Sequence, residues 1–154
     1  MKDYVLGIAE SNDNIVLIQK LRPEEQNGRF NFVGGKVETT DEATIDTMIR
    51  EFKEETGVQT SKDDWKFVGN LGREADFLID VFYMNSDKAN LVDTQEDEKI
   101  FLVQKDVFLH DVEFQKTFMP NLLAMYYLAT STDATKYNCE FFIEYPVFGG
   151  KYAP

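Results

Sequence analysis

Glu51, Glu54 and Glu55 stand at i, i+3 and i+4 in a segment of helical periodicity, so their carboxylates project from one face. Like charges at these spacings oppose a helix by about 0.2–0.5 kcal/mol per pair. A bound divalent cation offsets that cost, and hard carboxylate oxygens suit Mg²⁺ or Mn²⁺. A solvated face on an acidic protein is the plainer alternative. Ile45, Met48, Ile49 and Phe52 form the apolar face of the same helix, so it can dock rigidly and serve as a platform for a metal cluster. Gly34-Gly35, just upstream, implies unusual backbone angles or a close backbone approach.

Alternating and turn-forming residues outline the elements that must position these groups. Tyr4–Glu10 and Ile15–Lys20 read as two strands of a hairpin around the turn Ser11–Asn14. Leu21–Arg29 reads as a loop and Phe30–Val33 as a short strand. A helix is expected from Thr39 or Thr40 to Thr56, with Thr39 and Glu42 as a capping box and Gly57 as the C-terminal stop. Trp65–Leu71, Phe77–Met84 and Lys99–Val103 read as strands, and Ser86–Asp97 as a polar loop. A second helix is expected over Met119–Ala129, with Pro120 in its first turn. Glu140–Tyr145 reads as a last strand and Gly149–Pro154 as a loose tail. The mixture favours an α+β fold, an α/β/α sandwich with a mixed sheet, in a single domain spanning 1–154.

Composition narrows the function classes. The 154 residues carry 16 basic and 28 acidic side chains, a net charge of −12. Such a chain repels a phosphate backbone, so neither nucleic acid nor an anionic membrane is an expected partner. One cysteine, Cys139, and one histidine, His110, exclude an internal disulfide and a thiol- or imidazole-rich metal site. No apolar leader precedes the first strand pattern, and the longest apolar stretch, Leu122–Ala129, is too short to span a bilayer. A cytoplasmic protein is expected. An acidic protein that handles an acidic substrate needs cations to bridge the two.

Gly-Gly, a loop, Arg50-Glu51, Glu54-Glu55 and Gly57-Val58 together resemble the box of the Nudix hydrolase family: Gly, five residues, Glu, seven residues, then Arg-Glu-U-x-Glu-Glu-x-Gly-U with U bulky and apolar. Arg50, Glu51, Phe52, Glu54, Glu55, Gly57 and Val58 match every fixed position of the second half. Average residue frequencies put a chance match of that half at on the order of 1 in 100,000. The first half departs: Glu42 lies the right distance before Arg50, but six residues rather than five separate it from Gly35. Counting five from Gly35 lands on Asp41. The extra residue is assigned to the loop Glu38–Asp41, which leaves Glu42 to pair with Arg50.

The resemblance implies a metal-dependent hydrolase of a nucleoside diphosphate linked to another group. By size and layout the MutT-type members, nucleoside triphosphate pyrophosphohydrolases, are the nearest match. It implies that Glu54 and Glu55 ligate Mg²⁺ or Mn²⁺, that Glu51 is a ligand or the base that orients water, and that the Gly34 carbonyl is a further ligand. Lys36 is expected to offset charge on the departing phosphate. Gly35, Glu42, Arg50 and Gly57 hold the box together. Glu98, in the acidic stretch Asp93–Glu98, is the candidate for an additional ligand. For the substrate, Asn121 could read a base edge. Phe30, Phe32 and Trp65 could stack, and Arg22, Arg29 and Arg73 could hold phosphates or a ribose. Each of these has a plainer reading as core, cap or surface. His110 reads as a surface residue and Cys139 as buried beside Phe141. Phe141, Phe142, Tyr145 and Phe148 suit packing or a dimer contact, so monomer and homodimer both stay open. The alternative functions are hydrolysis of ADP-ribose or a dinucleoside polyphosphate, and a non-catalytic nucleotide sensor. The start near the first core strand favours the compact MutT-type reading over the ADP-ribose one.

Overall fold

The computed structural model describes residues 2–73, 75–131 and 140–144. The sheet is organised around β1 (Lys2–Glu10). Val5 and Ala9 of this strand point into one apolar core, and Leu6 and Ile8 into another, as the period of two requires. β1 therefore has to be covered on both faces. It pairs in parallel with β6 (Phe77–Asn85) and antiparallel with β4 (Val33–Lys36). β5 (Lys66–Arg73) continues the sheet antiparallel to β6, and β8 (Phe141–Glu144) lies parallel to β5. The sheet is mixed, as the sequence implies.

The first two strands do not form the plain hairpin expected. β2 (Asn14–Gln19) meets β1 only at Glu10 and Ile15, then diverges to pair with β7 (Ile100–Gln104) and β3 (Phe30–Asn31). This divergence also cuts the expected strand Phe30–Val33 in two. β3 belongs to β2 and β4 belongs to β1, so the chain changes partner at Phe32. Asn31 Oδ1 accepts the Phe32 N–H at 2.8 Å and satisfies a donor that the ladder drops there.

One face of the sheet is covered by α1 (Thr44–Thr56), whose Met48 and Phe52 are fully buried against Val5, Ala9 and Trp65. The Phe52 and Trp65 rings meet edge to face, 5.3 Å apart, and Trp65 Nε1 donates to Thr60 Oγ1 at 2.9 Å. Gly57 caps the helix at φ 77° in the left-handed region, its N–H donating to Lys53 O. The other face is covered by α2 (Lys105–His110), α3 (Val112–Gln115) and α4 (Leu122–Thr130). Phe108 is buried there, stacked on Phe118 at 5.1 Å.

Two helix starts differ from expectation, and two short helices are added. α1 starts at Thr44, not at Thr39 or Thr40, because Glu38–Asp41 closes into its own turn: Asp41 Oδ2 accepts the Glu38 N–H at 2.9 Å. Ala43 is then the extended residue before the helix, and Asp46 reaches back to accept its N–H at 3.0 Å. α4 starts at Leu122, so Pro120 precedes the first turn instead of occupying it, and Asn121 takes a left-handed φ of 69° between them. α2 and α3 were not expected, being short; Asp111 links them and caps α3 by accepting the Phe114 N–H. Cys139, Tyr145, Phe148 and Gly149–Pro154 lie outside the described residues. Among the described residues, no helix is long and apolar enough to cross a membrane.

Candidate active site

Arg50, Glu51 and Glu54 of the motif lie on the side of α1 away from the buried Met48 and Phe52. β4 supplies the floor beneath it. A Cβ built on Gly35 would land on the Glu51 carboxyl group, and one built on Gly34 would land on the Val5 carbonyl of β1. Neither glycine has a positive φ. The Gly-Gly pair thus serves close approach, not unusual backbone angles: Gly34 lets β4 join β1, and Gly35 lets the Glu51 carboxylate rest on the strand.

Arg50 ties the parts together. Its Nε and Nη2 meet Asp41 Oδ1 and Oδ2 at 3.2 and 2.9 Å, and Nη2 also donates to the Lys36 carbonyl at 3.1 Å. Nη1 donates to Glu51 Oε1 at 2.8 Å and to Glu54 Oε2 at 3.2 Å. One guanidinium thereby joins β4, the loop and the helix, with the planar fork that a carboxylate fits. The expected pairing of Glu42 with Arg50 is corrected here. Glu42 is exposed, whereas the Asp41 side chain is only 6% exposed and fills that place. The extra residue of the motif consequently falls after Asp41, before the helix, rather than before Glu42. Arg50 and the Thr47 hydroxyl hold the Asp41 carboxyl well below the usual range.

Glu55 is less well satisfied. Its Oε2 is buried with no hydrogen-bond partner. Burial first, then the charges of Glu96 and Glu98, push its carboxyl up to about 7. Burial likewise raises Glu51, against the pull of Arg50. The loop after β6 brings the acids close because it is fastened to the end of α1: Asp93 N–H donates to Thr56 O, and Gln95 N–H to Glu55 O. Glu98 is buried, its Oε1 accepting from Lys20 Nζ at 2.9 Å and its Oε2 from the Leu21 N–H at 2.7 Å. Among the described residues, no three acidic, imidazole or thiol side chains are already gathered as a cation cage. Arg50 pairs with both Glu51 and Glu54, and the Glu54 side chain is about half exposed. The orphaned Glu55 oxygen and an all-oxygen donor set still fit a hard divalent cation, which would complete what the protein leaves unpaired.

Where β2 and β3 diverge from β1 and β4, a cleft of about 180 Å³ opens beside Gly34 and Gly35. Tyr4, Lys20, Arg22 and Lys36 reach it, and Lys36 is exposed. Phe32 lies on its wall but is 1% exposed and packed near Phe108, so it shapes the cleft more than it offers a stacking face. Trp65 is core, on the α1 side. Arg29 Nη1 donates to the Phe118 carbonyl at 3.0 Å. Arg22 pairs with Asp97, and Arg73 with Asp76. Asn121 lines a separate open depression beside Phe118 and Leu123, where its Nδ2 is buried without a partner. His110 is exposed at the end of α2.

Sequence reasoning did not single out Lys20, for which only its place at the end of a strand was a signal. It also missed a buried cluster away from this face. Glu10 accepts from Tyr126 Oη at 2.7 Å, from Tyr83 Oη, and from Lys105 Nζ at 3.1 Å. Burial and the Glu10 charge push both tyrosines up.

The comparisons with known proteins agree with this geometry. A family model described as NUDIX domain matches residues 2–122, which takes in β1 to β7, the box and the first residue of α4. The chain belongs to the NUDIX family. Its NUDIX box is the segment Gly35–Val58 described above. The chain is 34% identical over 65 residues to the CTP pyrophosphohydrolase of Escherichia coli (strain K12). That stretch covers 42% of this chain and 47% of the relative, so the match spans about half the length of that relative. Among solved structures, the NUDIX domain of Shewanella oneidensis NrtR, complexed with ADP ribose, superposes with a TM-score of 0.67 at 15% identity, covering 82% of this chain and 84% of that one. The mutator MutT protein of Bacillus halodurans superposes at 0.65 and 16% identity, covering 96% and 92%. These likenesses show the fold, and the expected Nudix sandwich is the fold observed.

Proposed function

We propose that the protein is a Mg²⁺- or Mn²⁺-dependent nucleoside triphosphate pyrophosphohydrolase, converting NTP and water to NMP and pyrophosphate. The observation that carries this reading is the buried, unpartnered Oε2 of Glu55, on the same helix as Glu54 and as Glu51, whose carboxyl group rests on Gly35. The partial likeness to a CTP pyrophosphohydrolase supports a triphosphate substrate.

Glu54 and Glu55 would hold the cation, with Glu51, Glu98 and the Gly34 carbonyl as further donors. When bound there, a divalent cation would neutralise phosphate charge and make a water easier to deprotonate. The chain's own residues supply position and proton transfer. Glu51 rests on Gly35, and burial raises its proton affinity, which favours its use as a base. Arg50 fixes the Glu51 rotamer through Nη1. Glu54 orients the attacking water. Lys36, exposed at the cleft mouth, offsets charge on the departing pyrophosphate. The cleft between the diverging strands receives the nucleotide, with Arg29 tying β3 to the Phe118 carbonyl behind it. Asn121 would read the base edge if the base extends past the cleft wall into the depression beside Phe118, where its amide donor is unused.

The test is product release from a panel of nucleoside triphosphates, ADP-ribose and dinucleoside polyphosphates with Mg²⁺ or Mn²⁺. Pyrophosphate release from triphosphates is the expected result. Cleavage of ADP-ribose alone would replace the triphosphate reading. Binding of a nucleotide without any cleavage would replace catalysis with sensing.

A further inference from the structure

We propose that the outward face of α4 is the contact surface of a homodimer, covered by a second copy of this chain across a two-fold axis. The contact is independent of the hydrolase reading above.

Charge marks this helix in the sequence. Thr117–Thr132 is a run of sixteen residues without a charged side chain, in a chain where no other uncharged run exceeds six. α4 lies inside that run and is apolar nearly all round. A helix of that kind is ordinarily covered on every side. The fold covers only half of it. Leu122, Met125, Tyr126 and Ala129 are buried, whereas Ala124 is exposed, Tyr127 is 53% exposed and Leu128 is 41% exposed. Ala124, Tyr127, Leu128 and Ser131 stand at i, i+3, i+4 and i+7, so they form one stripe. Other exposed apolar side chains stand among charges or apart. Val112 lies between Asp111 and Glu113, Phe142 lies two residues from both Glu140 and Glu144, and Phe101 and Leu102 point to opposite faces of β7. Scattered residues of that kind need no partner.

Charge also chooses the occupant. Two chains of net charge −12 approach each other against repulsion, so they can touch only where neither presents an acid. The α4 face meets that condition. It offers no acid to a basic partner and no cation to an acidic one. A neutral apolar surface fits it, and a two-fold axis supplies one by setting the face against itself. The spacing is self-complementary. The stripe is centred between Tyr127 and Leu128, so antiparallel helices set Tyr127 opposite the partner's Leu128 and Ala124 opposite the partner's Ser131. Large side chains then interlock at the axis, and small ones let the helices approach on either side of it. The stripe is also held still. Tyr126 Oη donates to the buried Glu10 at 2.7 Å, and Thr130 Oγ1 donates to the Tyr126 carbonyl at 2.7 Å, so little order is lost on association. Two nine-residue helices bury less than a standard interface of about 1,600 Å², so a dissociation constant of about 10–100 µM is expected.

The test is sedimentation equilibrium of the full chain from about 5 to about 500 µM, a range that brackets the expected constant. The parent should move from the mass of one chain toward twice that mass. Added salt should tighten its association, because salt screens the repulsion between acidic chains. Leu128→Glu sets like charges together at the axis and should weaken association about tenfold or more, and Leu128→Lys should do the same. An equimolar mixture of these two variants should associate again, since each copy presents this position to the other. Phe142→Glu, on β8, should leave association at the parental level. Leu128 is already partly in solvent, so both of its variants should keep a parental circular dichroism spectrum. If they lose it, Tyr127→Glu and Tyr127→Lys, at the more exposed position, take their place. A parent that stays one chain at every concentration overturns the proposal. So does association that Leu128→Glu leaves intact, or a mixture of the Glu and Lys variants that stays apart. Flotation of a monomeric parent, but not of Leu128→Glu, with phosphatidylcholine vesicles would give the face to a lipid surface instead.

Discussion

Asp41 and Arg50 form a two-point contact, Oδ1 to Nε at 3.2 Å and Oδ2 to Nη2 at 2.9 Å, that locks the loop after β4 onto α1. The aspartate is nearly buried and its carboxylate also accepts from Glu38 N–H and Thr47 Oγ1. Asp41→Asn leaves Arg50 without its carboxylate partner and should destabilise the fold by about 2–4 kcal/mol. Glu42→Gln, on an exposed side chain, should change stability by less than about 0.5 kcal/mol. Urea denaturation of the two variants decides between them, and a larger loss for Glu42→Gln would reverse the assignment.

The same contact has a pH signature. The Asp41 carboxyl is held below its unfolded value, so its contribution is fully present above about pH 4 and is lost as pH falls through the folded value. Acid unfolding of Asp41→Asn should therefore lack a step that the parent shows below about pH 4. Identical acid transitions would take Asp41 out of the acid-labile set.

Gly35→Ala places a methyl group where the Glu51 carboxyl group lies. Glu51 ends a flexible side chain and can move aside, so the fold should survive. The displaced carboxylate no longer meets the water, and kcat should drop by about 100-fold with a near-parental circular dichroism spectrum. Retention of parental kcat would remove Glu51 from the reacting centre.

Glu54→Gln should lower kcat by about 1,000-fold or more and leave the thermal midpoint within a few degrees, since this side chain is about half exposed. Turnover equal to that of the parent would overturn the assignment of Glu54.

Glu55, with its carboxyl raised to about 7, carries a proton below that pH in the cation-free protein. A raised carboxyl favours the folded state at low pH, and this contribution fades as pH rises from about 4.5 toward 7. Cation binding needs the ionised form, so Mn²⁺ affinity should rise with pH up to about 7 and then level off. Calorimetric titration of Mn²⁺ across that range checks it, and Glu55→Gln should abolish both the affinity and its slope.

Much of this protein is local and was legible in the residues themselves. The spacing of Glu51, Glu54 and Glu55, the apolar stripe of Met48 and Phe52, and the stop at Gly57 all depend on one helical period and one backbone preference. The NUDIX box is readable for the same reason, as are most strands, whose alternation survives any choice of partner. Pairing was not legible. β2 leaves β1 after a single register point, and only that divergence splits Phe30–Val33, opens the cleft and gives Lys20 a wall to line. The choice of Asp41 over Glu42 was undecided by spacing, since a loop absorbs one residue on either side of its acid. It was settled by where the turn Glu38–Asp41 closes and which carboxylate the Arg50 fork can then reach. Contacts between residues distant in the chain, such as Glu98 with Lys20 and Glu10 with Tyr126, depend on how strands and helices stack, and no period of two or 3.6 encodes them.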